Sequence, residues 1–228
     1  KSINNKNSLV TNFTRAISQD KNGNIWFGTK KGISIWNRKT NSWKLLTGFS
    51  DNNNSQAIIL ALEQDDNYMW VGTYNYGLYK VDINNYSKHH YNSLYPKKDL
   101  LTKIYAIKKD TKGNIWVGGI EKDLIVISKN DKIKKFPIIH IKTITESKDG
   151  YILASGRYGV YKINLKEGTF KLIEKLKPDE KLLPYSSIHS VVESNKNTIL
   201  GTNGAGIVFF NNINGSIRKI TQKSGLPS

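Results

Sequence analysis

Along this chain apolar and polar residues alternate in short runs, and clusters of Asn, Asp, Gly and Lys separate the runs. A period of two predicts half-buried β-strands, and no segment carries a convincing helix period. Five runs open similar units: "TRAISQD" (14–20), "IILALEQ" (58–64), "IYAIKKD" (104–110), "IKTITES" (141–147) and "HSVVES" (189–194). After each comes a polar turn, then a second apolar run. The copies read "GNIWFGTKKGISIWN" (23–37), "NYMWVGTYNYGLYKVD" (67–82), "GNIWVGGIEKDLIVIS" (113–128), "GYILASGRYGVYKIN" (150–164) and "KNTILGTNGAGIVFFN" (196–211).

Aligned, these copies give a column of large residues, Trp26, Trp70, Trp116, Leu153 and Ile199. Beside it runs a column of small residues, Gly28, Gly72, Gly118, Ser155 and Gly201, spaced by 44, 46, 37 and 46 residues. A turn column follows: Gly32, Gly77, Asp123, Gly159 and Gly206. A third strand ends each motif, and a weaker fourth follows at "SWKLL" (42–46), "SKHHYN" (87–92), "KIKKFP" (132–137), "TFKLIE" (169–174) and "SIRKIT" (216–221). Repeats of this length with four strands each predict an all-β chain, a β-propeller of four-stranded antiparallel blades. The whole chain, 1–228, reads as one propeller region with repeats at about 13–47, 57–92, 103–137, 140–174 and 187–222. In such a blade the large residue fills the wedge between neighbours. The Gly beside it lets the adjacent blade approach closely.

Composition adds exclusions. The chain has no cysteine, so disulfides, thiol catalysis and Cys-ligated metal are ruled out. No apolar run is long enough for a membrane helix. The first residue is Lys1, with no secretion signal, so the sequence reads as an excised or processed piece. The net charge of +17 raises nucleic acid as a partner, but only four of the 35 basic residues are Arg. Lys is scattered over every loop rather than gathered on one element between aromatics, which argues against nucleic acid. Attraction to an anionic cell surface or wall polymer fits the charge at least as well.

The motif Asp-x-x-Gly-Asn-Ile-Trp-x-Gly-Thr-x-x-Gly-Ile resembles the two-component regulator propeller repeat. The resemblance runs over the whole chain. It is strongest at Asp20–Asn37, Asn67–Asp82 and Asp110–Gly119, and weaker at Gly150–Asn164 and Lys196–Asn211, where the Trp is lost. It implies an extracytoplasmic, periplasmic or cell-surface sensor of a membrane-spanning signalling protein, often a hybrid histidine kinase that responds to oligosaccharides. It also implies a ring of more than five blades, commonly seven, with membrane and output segments outside this chain. "NKNSLVTN" (5–12) and "SGLPS" (224–228) resemble two halves of one linker, as expected of an array cut from a longer one.

Propeller ligands sit on loops at one end of the axis, while the sheets hold those loops in place. The loops joining strands two and three are Lys30–Lys31, Tyr74–Asn75–Tyr76, Ile120–Asp123, Arg157–Tyr158 and Asn203–Ala205. Tyr74, Tyr76 and Tyr158 are candidates to stack on sugar rings, with Asn75, Arg157 and Asn203 to hydrogen-bond hydroxyls. The same tyrosines would serve equally to cover a blade rim. Blade-joining segments Thr47–Gln56, Ser93–Lys103 and Lys175–Ser187 are long enough to overhang this end or to contact a second subunit.

An enzyme finds little support. His89 and His90 are neighbours on a strand and point to opposite faces, and His140 and His189 share no metal-ligand pattern. No nucleophile elbow, Walker loop or dinucleotide fingerprint occurs. Asp20, Asp110 and Glu146 fall at the opposite end from the tyrosines, leaving Glu121 and Asp123 for a hydrolase or lyase. The sequence therefore predicts a non-catalytic, extracytoplasmic ligand sensor, with no cofactor, no metal and an oligosaccharide as ligand. The alternative is a scaffold for homodimers or a neighbouring propeller.

Overall fold

The structure, a computed structural model, describes residues 8–49, 57–91, 103–173, 188–194 and 196–227. Five four-stranded antiparallel sheets follow one another in chain order. The first holds β1 (Thr14–Gln19), β2 (Ile25–Thr29), β3 (Gly32–Asn37) and β4 (Ser42–Leu46). The second holds β5 (Ile59–Asp65), β6 (Tyr68–Thr73), β7 (Leu78–Asp82) and β8 (Lys88–His90). The third is β9 (Ile104–Lys109), β10 (Ile115–Gly119), β11 (Leu124–Ile127) and β12 (Ile133–Phe136). The fourth is β13 (Ile141–Glu146), β14 (Ile152–Gly156), β15 (Gly159–Asn164) and β16 (Thr169–Leu172). The fifth is β17 (Ile188–Glu193), β18 (Asn197–Thr202), β19 (Ile207–Asn211) and β20 (Ile217–Ile220). Beyond turns, the only helical segment among the described residues is a short 3-10 turn, Gln222–Ser224. No helix among them is long and apolar enough to cross a membrane.

Within each sheet the first strand pairs on one side only. Those first strands touch in sequence, β1 on β5, β5 on β9, β9 on β13 and β13 on β17, so the sheets are blades with their inner edges together. Four apolar cores lie between successive blades. Trp26 packs with Ile59 and Leu62, Trp70 with Ile104 and Ile107, and Trp116 with Ile141 and Ile144. At the last interface Leu153 packs with Ile188 and Val191. The three Trp side chains are fully buried. The glycine column explains how closely the blades approach. A Cβ on Gly72 would lie 2.6 Å from the Ile104 side chain, and one on Gly118 would lie 2.6 Å from Ile141. Ser155 takes this column in the fourth blade, where its hydroxyl is buried with no hydrogen-bond partner among the described residues.

The tryptophans are also anchored through the indole nitrogen. Asp20 Oδ1 accepts from the backbone N–H groups of Asn22 and Asn24, and its Oδ2 accepts from the Asn24 amide and from Trp26 Nε1 at 2.9 Å. Asp110 repeats this with Lys112, Asn114 and Trp116, again at 2.9 Å to the indole. In the second blade Asp65 accepts from Trp70 Nε1 at 3.1 Å. Where Trp gives way to Leu153 or Ile199, the turn residue is Ser147 or Ser194. The carboxylate is present where there is an indole N–H to satisfy.

The outer faces of the first and last blades differ from the inner ones. Ile17 is 66% exposed, while Leu62, Ile107, Ile144 and Val191, its counterparts in register, are 7–8% exposed against the preceding blade. On the same face of blade 1, Phe27 meets Trp43 and Trp43 stacks on Trp36. At the far end, a Cβ on Gly201 would meet only Ser190 of its own blade. Among the described residues, blades 5 and 1 therefore form no interface like the other four.

Candidate functional site

Two kinds of backbone feature build one end of the blades. The first is a bulge repeated in all five inner strands. Thr14 pairs with Thr29 and Ala16 with Gly28, which leaves Arg15 extra. The same slip leaves out Leu60, Tyr105, Lys142 and His189. A bulge takes a side chain out of the two-face alternation and re-aims it. Here the residues on either side already face neighbouring blades. Ile104 seats on Gly72, while Ala106 belongs to the core around Trp116. The bulged side chain is thus turned toward the inner edge, where the five first strands come together. The five positions carry Arg, Leu, Tyr, Lys and His.

The second feature is the start of the inner strand lying against the end of the second strand. In blades 1, 2 and 5 the contact residue is Thr29, Thr73 or Thr202, whose hydroxyl donates to the Gly32, Gly77 or Gly206 carbonyl and closes the loop. In blades 3 and 4 it is Gly119 or Gly156. A Cβ there would lie 2.2 Å from the Lys103 carbonyl oxygen or 1.9 Å from that of His140, so only glycine lets Lys103 and His140 reach their places. His140 itself has φ 58° and Glu121 has φ 69°. Asn41, Asp66, Tyr86 and Asp131 adopt the same left-handed region in turns elsewhere, so here it marks tight turns. In the third blade Asp123 stands in the turn column, and the left-handed residue is Glu121 instead.

These features bring several side chains together. Lys142 Nζ lies 3.6 Å above the centre of the Tyr105 ring, joining the bulges of blades 3 and 4. Lys103 Nζ lies 4.8 Å above the Tyr74 ring. His140 meets Tyr158 edge to face at 5.3 Å. In blade 1, Arg15 and Lys30 both lie over Phe13. The electrostatics follow the geometry. Burial pushes the Lys142 ammonium below the usual lysine range, and repulsion from Arg15 and Lys103 adds to it. His189 is lowered by burial and then by Lys142. His140 is lowered by burial and by Arg157, against a smaller pull upward from Glu121. Lys103 is raised, chiefly by its hydrogen bond with Tyr74. Lys142 thus feels the charges of Arg15 and Lys103, and His189 that of Lys142, while the Glu121 carboxylate acts on Lys103 and His140. The ion pairs Lys108–Glu63, Lys109–Asp65 and Lys109–Asp66 sit at the other end, with the Asp–Trp turns.

The residues singled out from the sequence are distributed unevenly around this end. Tyr74 and Tyr158 border these charged side chains, and Tyr158 is 41% exposed. Arg157 is exposed, and its backbone N–H donates to the His140 carbonyl. Tyr76 packs against the core between blades 1 and 2. Asn75 is half-buried on the same loop. Asn203 is exposed and lines a separate groove in blade 5 with Thr221, Gln222 and Leu226. Of the blade-joining segments, residues 50–56, 92–102 and 174–187 lie outside the described residues. Loop reasoning missed the bulge residues, because they belong to strands. A groove of about 610 Å³ lies on the outer strands of blade 4, between Tyr151, Lys162 and Phe170. It borders Ile173, the last residue described before 174–187, and is not taken as a site.

Residues 8–31, spanning the first inner strand and the Trp strand, match the two component regulator propeller family. The first repeat is thus similar to a two component regulator propeller repeat. No curated protein matches it in sequence. Among solved structures, it superposes on the extracellular domain of BT3049 from B. thetaiotaomicron, assigned to the hybrid two component systems, with a TM-score of 0.75 and 20% identity. That match covers 96% of this chain and 30% of the other. The extracellular domain of BT4673 from the same organism, assigned likewise, gives 0.70 at 20% identity over 91% and 27%. The β-propeller domain of Cps50 (Swd1) from Myceliophteria thermophila gives 0.64 at 12% identity over 90% and 72%. The chain thus spans less than a third of the two extracellular domains. At such identities the likeness speaks for the propeller fold alone, and function must be argued from the site.

Proposed function

We propose that this propeller is the non-catalytic sensing region of an extracytoplasmic receptor of the two-component type, and that its ligand is a carbohydrate. The observation that carries this is the grouping at one end of the axis of Tyr74, Tyr105 and Tyr158 with Arg15, Lys103 and Lys142. Ring faces stack on the apolar face of a sugar, and cationic donors bind its oxygens. The blade frame holds both sets in place before the ligand arrives, which lowers the ordering cost of binding. A ligand bound here touches the inner edges of several blades at once. It would signal by favouring one arrangement of the propeller relative to its neighbours, through unequal affinity for two states.

Turnover is disfavoured by how the carboxylates are used. Asp20, Asp65 and Asp110 accept hydrogen bonds from indoles at the opposite end. Glu121 acts on the charges of Lys103 and His140.

Calorimetric titration against a library of neutral and acidic oligosaccharides tests the proposal. The Tyr74→Ala/Tyr158→Ala double variant should bind about 10–100-fold more weakly, the loss expected for two stacking rings. Unchanged affinity, or silence across the whole library, would refute it. A second reading, a scaffold for protein contacts, has its own support in the face of blade 1 that carries exposed Ile17 beside half-buried Phe27, Trp36 and Trp43. Light scattering distinguishes it: a dimer that Ile17→Asp dissolves supports the scaffold, and a monomer counts against it.

A further inference from the structure

We infer that the carbohydrate bound at the axis is acidic, and that Arg15 and Lys142, presented by the inner-strand bulges of blades 1 and 4, clamp its carboxylate or sulfate group. This deepens the sensing proposal above and rests on it. Five bulges in one register aim five side chains at the inner edge, and three of them are Arg15, Lys142 and His189. The neighbouring charges that act on Lys142 are Arg15 and Lys103, both of its own sign. Like charges held together by a rigid frame store repulsion, and an anion placed among them relieves it. A guanidinium from one side and an ammonium from another suit a carboxylate or sulfate, which offers oxygens in more than one direction. The neighbouring rings favour a sugar over a free inorganic ion. Lys142 covers one face of Tyr105, while Tyr74 and Tyr158 border the same space.

The overall charge of +17 would by itself attract any polyanion, so the test must separate a site from a diffuse field. Hexamers of galacturonate and of chondroitin sulfate would be titrated calorimetrically at 150 mM salt. Their neutral counterparts, the methyl-esterified galacturonate and a desulfated, carboxyl-reduced chondroitin, would be titrated alongside. At least one acidic hexamer should bind ~10-fold or more tightly than its neutral partner. Arg15→Gln/Lys142→Gln should abolish that difference. Lys135→Gln/Lys171→Gln, which removes the same charge from outer strands, should shift affinity less than about twofold. Arg15 is exposed, so Arg15→Gln alone keeps the test readable if the double variant does not fold. Equal loss in both double variants would overturn the clamp in favour of diffuse attraction. Equal binding of acidic and neutral hexamers would overturn the anionic inference and leave the carbohydrate proposal standing. A single-stranded oligonucleotide binding tightly through Lys142, where no sugar binds, would overturn both, as would binding by none of the probes.

Discussion

Trp116→Ala is expected to lower unfolding stability by about 3–5 kcal/mol, the usual cost of truncating a buried Trp in a core that cannot collapse. Trp116 is fully buried between blades 3 and 4, against Ile141, Ile144 and Ile152. The glycine beside it already lets the Ile141 side chain of the next blade seat on the strand, so the blades have little room to close the cavity. The loss should also change the shape of the transition. Repeat arrays are held together by nearest-neighbour interfaces, and weakening a central one uncouples what lies on either side. Urea unfolding followed by circular dichroism should show one step in the parent and two in the variant. Leu153→Ala, at the interface with the last blade, should keep a single main step and lose about 2–4 kcal/mol. A one-step transition for Trp116→Ala, shifted by less than about 1 kcal/mol, would mean that the Trp column does not hold the blades together.

The second large effect belongs to the carboxylate that positions that indole. Asp110→Ala removes the acceptor of four hydrogen bonds, from Lys112 N, Asn114 N, the Asn114 amide and Trp116 Nε1. Their donors lie in a tight turn and, for the indole, in the interblade core, so water replaces the lost acceptor poorly. A loss of about 2–4 kcal/mol is expected, because buried donors left unsatisfied cost more than the bond they made. Asp110→Asn should fall between parent and Ala, since its amide keeps one acceptor oxygen but turns a donor toward the indole or the turn. Thermal unfolding and Trp fluorescence would measure both variants. A change below about 0.5 kcal/mol for Asp110→Ala would show that the turn satisfies itself without the carboxylate.

These two residues also show how far the sequence could be read. The Trp and Gly columns stood out because a wedge-shaped blade demands a large and a small residue at fixed places on one strand. The Asp column was visible too, but only as a turn residue. Its second role emerges once Asp20, Asp65 and Asp110 are seen to accompany Trp, and Ser147 and Ser194 to accompany its loss. The bulge residues were harder to find. A bulge adds one residue on one strand, and alternation along a single strand does not reveal that slip in pairing. A signal was nonetheless present. Arg15, Leu60, Tyr105, Lys142 and His189 each precede a small residue, Ala16, Ala61, Ala106, Thr143 or Ser190, which pairs with the glycine column or its serine. Loop-based reasoning picks out Tyr74 and Tyr158, which the structure places beside Lys103 and His140. It grouped with them Tyr76, which packs on the core, and Asn203, which lines a different groove. Neither difference could be read without knowing which neighbour each loop leans on.

The most direct measurement of where a ligand binds is hydrogen–deuterium exchange of the 228-residue chain, with and without the oligosaccharide that binds most tightly in calorimetry. Slowed exchange should cluster at 13–16, 74–76, 103–106, 140–143 and 157–159, where bulges and loops meet around the axis. Protection confined to the Asp–Trp turns at 20–24 and 110–114, or to the outer strands at 133–136 and 169–172, would contradict an axial site.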